Sequence, residues 1–183
     1  MNTFVTMLRG INVSGKKTIK MADLEGLYES QGFTEVQTYI QSGNVVFGSR
    51  SNDAPEIAKT ISRAINDKYG FDVPVVIRKD KELEKVVSRN RLIGTGNRDV
   101  NRFHVTFLAE APDSSLVKQL DPPLASDEAM QIIDKEIYLY CPNGYGKTKV
   151  NNNYFEKQLS VPATTRNWKT VNVLLGMTRE RGD

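Results

Sequence analysis

The order of predicted elements assigns this chain to the α+β class, as two ferredoxin-like halves. Three observations carry that assignment. Strand-like and helix-like patterns alternate as β-α-β-β-α-β over roughly the first 78 residues. A similar β-α-β-β-α order returns after residue 100. The 183 residues, 39% hydrophobic and 26% charged, suffice for one large domain or two small ones with buried cores.

In the first half, residues 3–9 (TFVTMLR) are apolar on both alternations, as a central strand covered on both faces would be. A Gly/Lys loop follows from Gly10 to Lys20. Leu24, Leu27, Tyr28 and Gln31 then recur at helical spacing, and Gly32 ends that helix. VQTYI (36–40) and NVVF (44–47) flank Gln41-Ser42-Gly43 and read as a β-hairpin. Asp53 and Pro55 open a helix to about Tyr69, with Ile57, Ile61 and Ile65 on one face. VPVVI (73–77) closes the half as a strand.

The second half reads as a short helix over 80–88, an Arg/Gly/Asn loop over 89–101, and the strand FHVTFL (103–108). Pro112 to Leu120 predicts a short helix. MQIID (130–134) and IYLYC (137–141) form a hairpin, and a helix runs from about Lys149 to Leu159. A last helix is expected from Thr165 to Met177, capped by threonine, in the place of a final strand. The expected domains are 1–79, and 80–183 with this extra C-terminal helix. Similarity between the halves rests on element order only.

No apolar run is long enough to span a bilayer, and the N-terminus lacks the features of a signal peptide. The single cysteine, Cys141, forms no internal disulfide, which suits a reducing compartment. A cytoplasmic location without membrane association is the expectation.

The net charge of +3 is too small to declare a nucleic-acid binder, but its distribution is uneven. Arg9, Lys16, Lys17 and Lys20 give residues 9–20 a local +4 with no acid. Lys147, Lys149, Lys157, Arg166 and Lys169 against Glu156 give 147–169 another +4. Arg89, Arg91, Arg98 and Arg102 against Asp99 give 89–102 a +3. If these segments converge, their field concentrates anions.

Leu8-Arg9-Gly10-Ile11-Asn12-Val13, Tyr39-Ile40-Gln41-Ser42-Gly43-Asn44-Val45-Val46-Phe47 and Thr164-Thr165-Arg166-Asn167-Trp168 carry a resemblance. Together they are similar to the motifs of the bacterial domain-of-unknown-function family sixteen ninety-seven. The resemblance runs nearly the full length and implies a double ferredoxin-like architecture. It brings no established activity and no catalytic residues.

Gly10 to Lys17 nearly spells a P-loop after a strand, but Lys17 stands where the Mg²⁺-binding hydroxyl belongs. The helix also starts too late for its N-terminus to face a phosphate. A looser anion-binding loop, or a plain crossover, remains open. Gly144-Tyr145-Gly146-Lys147-Thr148 is a second near-miss, with Cys141 in the first glycine position. Gln41, Ser42 and Asn44 form a polar hairpin tip. Arg166 and Asn167 stand in what reads as the first turn of the last helix, where the dipole disfavours a cation. Trp168 reads as a core anchor.

His104 is the lone histidine and Cys141 has no thiol or imidazole partner, so no catalytic or metal-binding constellation is recognised. The leading expectation is a protein binding a phosphate-containing ligand, a nucleotide or RNA, without a cofactor. Its contacts would be Arg9, Asn12, Lys16, Lys17, Gln41, Ser42, Asn44, Lys147, Lys149, Arg166 and Asn167. An enzyme acting on an anionic metabolite and a protein-interaction module are the alternatives.

Overall fold

Described over residues 1–181, the computed structural model divides into two compact units. One holds Met1–Glu84 together with residues 173–181; the other is Lys85–Asn172.

In the first unit the elements are β1 (Asn2–Leu8), α1 (Met21–Ser30), β2 (Thr34–Tyr39), β3 (Asn44–Ser49), α2 (Ala54–Tyr69) and β4 (Val75–Lys79). The sheet order is β2-β3-β1-β4 with antiparallel neighbours. This is the ferredoxin-like arrangement that the element order predicts. Its helix-covered core joins Phe4, Leu8, Val45 and Phe47 to Leu24, Tyr28, Ile57, Ile61 and Ile65. The isoleucine stripe recurs every fourth residue, so α2 buries one face along its length. Asp53 caps α2 by accepting from the Glu56 amide at 3.1 Å, and Gly70 ends it at φ 75°.

After α3 (Asp80–Ser88), the second unit contains β5 (Phe103–Leu108), α4 (Ser114–Gln119), β6 (Ala129–Ile133), β7 (Glu136–Tyr140), α5 (Asn152–Leu159) and β8 (Ala163–Asn167). The helix α6 (Trp168–Arg179) follows directly. The sheet order β6-β7-β5-β8 matches the first. One expectation is corrected here. The second half does not lose its final strand, because residues 163–167 pair antiparallel with β5, and the helix begins only at Trp168. The β-branched pair Thr164-Thr165 suits a pleated strand better than a helical turn, and an open edge of β5 supplies its partner.

The repeat that element order only suggests is repeated in register. Val5-Thr6 and Val105-Thr106 occupy the same places in their sheets. Leu8 and Leu108 end the two strands. The next amides, Arg9 and Ala109, donate to Pro74 and Pro162 respectively. Arg78 lies opposite Val5, and Arg166 opposite Val105. Each guanidinium donates through Nη1 to the carbonyl of its preceding residue, at 2.8 Å for Arg78 and 2.9 Å for Arg166.

Candidate functional site

Leaving β1, the chain enters the basic Gly10–Lys20 loop, and Asn12 sets its shape. The Asn12 amide nitrogen donates to the carbonyls of Ile19 at 2.9 Å and Gln41 at 2.8 Å. Its Oδ1 accepts from the Ile19 amide at 2.8 Å. The loop is thereby closed at its base and fastened to the β2–β3 hairpin tip. Beyond Asn12 the chain folds into a finger: the Asn12 amide reaches the Lys17 carbonyl, and Lys16 returns to Val13 at 3.0 Å. Ser14 and Gly15 stand at φ 51° and 72°, positive at both central positions, as a type I′ turn requires. Val13 through Thr18 are all exposed. The finger is thus a short ribbon projecting from the sheet end, unlike a phosphate-enclosing P-loop.

The hairpin tip is as tightly made. Asn44 is fully buried, its amide donating to the Tyr39 carbonyl at 3.0 Å and to Ser42 Oγ at 2.9 Å. At Gly43, φ is 74°, and a methyl group would come within 2.7 Å of Ile11 Cδ1 and 2.8 Å of Leu8 Cβ. Ile40 adopts φ 50°, uncommon for a β-branched residue, while half exposed.

These bonds divide the expected contacts of the first unit. Asn12 and Asn44 spend their amides on architecture. Lys17 folds back, donating to the Asp72 carbonyl at 2.6 Å, with its ammonium 5.9 Å from the Phe71 ring centre. Lys16 is exposed and forms no ion pair among the described residues. Gln41 is exposed, and Arg9 and Ser42 are half-buried. Lys20 shares the exposure of Lys16 and its lack of an ion pair; its place just before α1 is the sequence signal that marks it.

Lys147, Lys149, Arg166 and Asn167 all belong to the second unit. Lys147 and Lys149 flank a shallow pocket of about 140 Å³ walled by Pro123, Leu124, Ala125 and Glu128. Arg166 lies in β8 and not in a helical first turn, so the dipole conflict read from the sequence does not arise. It is buried, and its Nη1 donates to Thr164 Oγ1 at 2.8 Å. Asn167, and not a threonine, caps the last helix, accepting from the Thr170 amide at 2.8 Å. Trp168 is buried.

Two basic segments approach each other within this unit, since β5 begins just after Arg102 and the ladder sets His104 opposite Asn167. Much of the arginine charge there is engaged. Arg89 pairs with Asp134, Arg98 lies 5.0 Å from the Tyr140 ring centre, and Arg102 approaches Asp99 at 3.9 Å.

His104 stacks on Tyr145 with ring centres 5.1 Å apart. Desolvation pushes its pKa below the ordinary imidazole value; a hydrogen bond accepted by the Arg102 carbonyl opposes the shift, and the Arg102 charge adds to it. The Tyr145 hydroxyl donates to Thr165 Oγ1 at 2.9 Å and accepts from the Asn152 amide at 3.1 Å. Thr165 in turn donates to Asn152 Oδ1 at 2.6 Å. Each of these two hydroxyls has its proton committed, so the network fastens the loop after β7 to the sheet and presents no activated nucleophile. Burial pushes the Cys141 thiol up to about 11, with Glu128 adding to the effect and a Thr148 hydrogen bond opposing it. A thiolate is therefore disfavoured at neutral pH. Among the described residues, no cluster of three or more His, Cys, Asp or Glu side chains is arranged to hold a metal ion. No helix among them is long and apolar enough to cross a membrane.

Fold and loops define an α+β protein of two ferredoxin-like halves with a basic finger at the end of the first sheet. The chain belongs to the family described as "Protein of unknown function (DUF1697)", whose model matches residues 1–138. It is similar to the structure of the conserved bacterial protein SP0830 from Streptococcus pneumoniae, at 24% identity and a TM-score of 0.76. That match covers 98% of this chain and 99% of the other, and it shows the fold. No curated protein matches the chain.

Proposed function

We propose that the chain binds a phosphate-containing ligand through the Gly10–Lys20 finger, and that this ligand is the extended backbone of RNA. The observation that carries the reading is the exposure of Val13–Thr18 on a finger whose base is fixed by Asn12. A free nucleotide is ordinarily held in a concave site that buries most of it. A projecting basic ribbon suits instead a polyanion that offers phosphates along a groove or strand. Lys16 and Lys20 reach solvent, and Arg9 to Lys20 contains no acid to neutralise them. A fixed finger also reduces the ordering cost of binding.

The test is fluorescence anisotropy of the full chain with a labelled twenty-nucleotide uridine RNA, at low and at physiological salt. Saturable binding is expected, with a log–log salt slope of about −1.4, in keeping with two lysine–phosphate contacts on single-stranded RNA. A Lys16→Ala/Lys20→Ala double variant should bind about ten-fold more weakly with a shallower slope. Absence of binding at low salt, or a variant that binds as the wild type does, would refute the reading. Val13 and Ile40, both exposed at this place, favour a second reading in which the finger docks on a partner protein. Partner capture would then fail with Val13→Ser/Ile40→Ser and survive loss of the two lysines.

A further inference from the structure

We infer that the open edge of β6 pairs antiparallel with β6 of a second copy of this chain, about a two-fold axis at Gln131. The surface belongs to the second unit, whereas the finger belongs to the first.

The sheets end in the edge strands β2 and β4, and β6 and β8. An edge strand turns alternate amides and carbonyls away from its sheet, and unblocked ones template another strand. Three of these edges are blocked. The Thr38 amide of β2 donates to Glu25 Oε1 at 2.9 Å, and a register shift interrupts that strand between Thr34 and Gln37. In β4 the Lys79 amide donates to Glu82 Oε2 at 2.8 Å, and the Ile77 carbonyl accepts from Arg78. In β8 the Ala163 amide donates to Glu156 Oε1 at 2.9 Å, and the Thr165 carbonyl accepts from Arg166.

No such device protects β6. Its sequence, AMQII, holds no charge, proline or glycine, its register with β7 is unbroken, and all of it is partly exposed. A two-residue turn joins Ile133 to Glu136, so Ala129, Gln131 and Ile133 direct their amides to β7. Those of Met130 and Ile132 point outward. Among the described residues, nothing outside the ladder bonds to either of them.

A two-fold axis at Gln131 sets Met130 opposite Ile132 of the copy, and each such pair exchanges both its N–H···O bonds. Met130 and Ile132 pack on the helix-covered core, so their pairing continues that apolar face across the axis. Gln131 meets its own copy at a non-hydrogen-bonded position, where side chains come closest. Its Oε1 is buried without a partner, and a carboxamide, donor and acceptor together, is complementary to itself. Just past the strand, Asp134 comes to face Glu128 of the copy and brings Arg89, its ion-pair partner. So short an edge buries little area, and the dimer is a weak one.

The experiment combines sedimentation equilibrium of the full chain, from about 10 µM to about 1 mM, with amide hydrogen exchange at both ends of that range. A 20.6 kDa monomer passing reversibly to a dimer is expected. The Met130 and Ile132 amides should gain about ten-fold protection in the dimer, while Ala129, Gln131 and Ile133, already bonded to β7, stay as they are. Gln131→Lys and Gln131→Glu should each weaken the dimer about ten-fold, since like charges then meet at the axis, and an equal mixture of the two should recover it. Recovery in the mixture excludes misfolding as the cause of either loss. A chain that stays monomeric throughout, whether or not an unrelated extended peptide binds its β6 edge, overturns the inference. So does a dimer with unchanged Met130 and Ile132 exchange, or a mixture no better than its parts.

Discussion

Asn12 holds the basic finger through three side-chain hydrogen bonds while standing at φ 54°, a conformation asparagine tolerates better than most residues. Asn12→Ala removes all three and keeps the strained φ. At about 1 kcal/mol for each bond, a loss of roughly 2–3 kcal/mol is expected in urea unfolding. The proposed binding of RNA should weaken with it, because the lysines lose their fixed base. Cys141 makes a pH prediction. Its folded pKa of about 11 lies above the ordinary thiol value, so the unfolded chain releases this proton first as pH rises. Its contribution to stability is complete below about pH 8.5 and is lost as pH climbs to 11. Burial of the Tyr28 and Tyr138 hydroxyls raises their pKa values and acts in the same direction. Unfolding followed from pH 8 to 11 should show falling stability, with a shallower fall in Cys141→Ala.

Elements here are decided at their ends. The strand β8 competes with a helical reading of the same residues, since Thr164-Thr165 can serve as a cap or as a pleated pair. Pairing with β5 and the buried guanidinium of Arg166 settle the competition. The helix α5 ends at Ser160, which takes φ 55° to complete its C-terminal turn. Ser160→Gly should therefore stabilise the protein by about 0.5–1 kcal/mol in thermal or urea unfolding. The reverse holds at the hairpin tip. Gly43→Ala combines a positive φ with contacts closer than 3 Å to Ile11 and Leu8, and a loss of about 2–3 kcal/mol is expected. An unchanged Tm for Gly43→Ala would contradict the packing described there.

At the scale of the molecule, the helix α6 is shared by the two units. Trp168–Asn172 belong to the second, and residues 173–179 to the first. A chain ended at Asn172 loses the buried Leu174, Leu175 and Thr178. Burying two leucines contributes about 3–6 kcal/mol, so a clear drop in Tm by calorimetry is expected. The duplicated register offers the same lesson about Arg166. Its counterpart Arg78 is fully buried and makes the same local hydrogen bond, which marks the pair as parts of the architecture.

Read alone, the sequence determined the class of the protein, because periodicity, turn residues and element order are local properties of the chain. The Ile57, Ile61 and Ile65 stripe, the Gln41-Ser42-Gly43 turn and the charge of residues 9–20 could all be read in this way. Tertiary structure decided what each polar residue does. Asn12, Lys17, Asn44 and Arg166 carry the same chemical groups whether they face a ligand or their own backbone. Only the carbonyls of Ile19, Gln41, Asp72 and Tyr39, brought close by folding, and the burial of Arg166 in β8 separate the two roles.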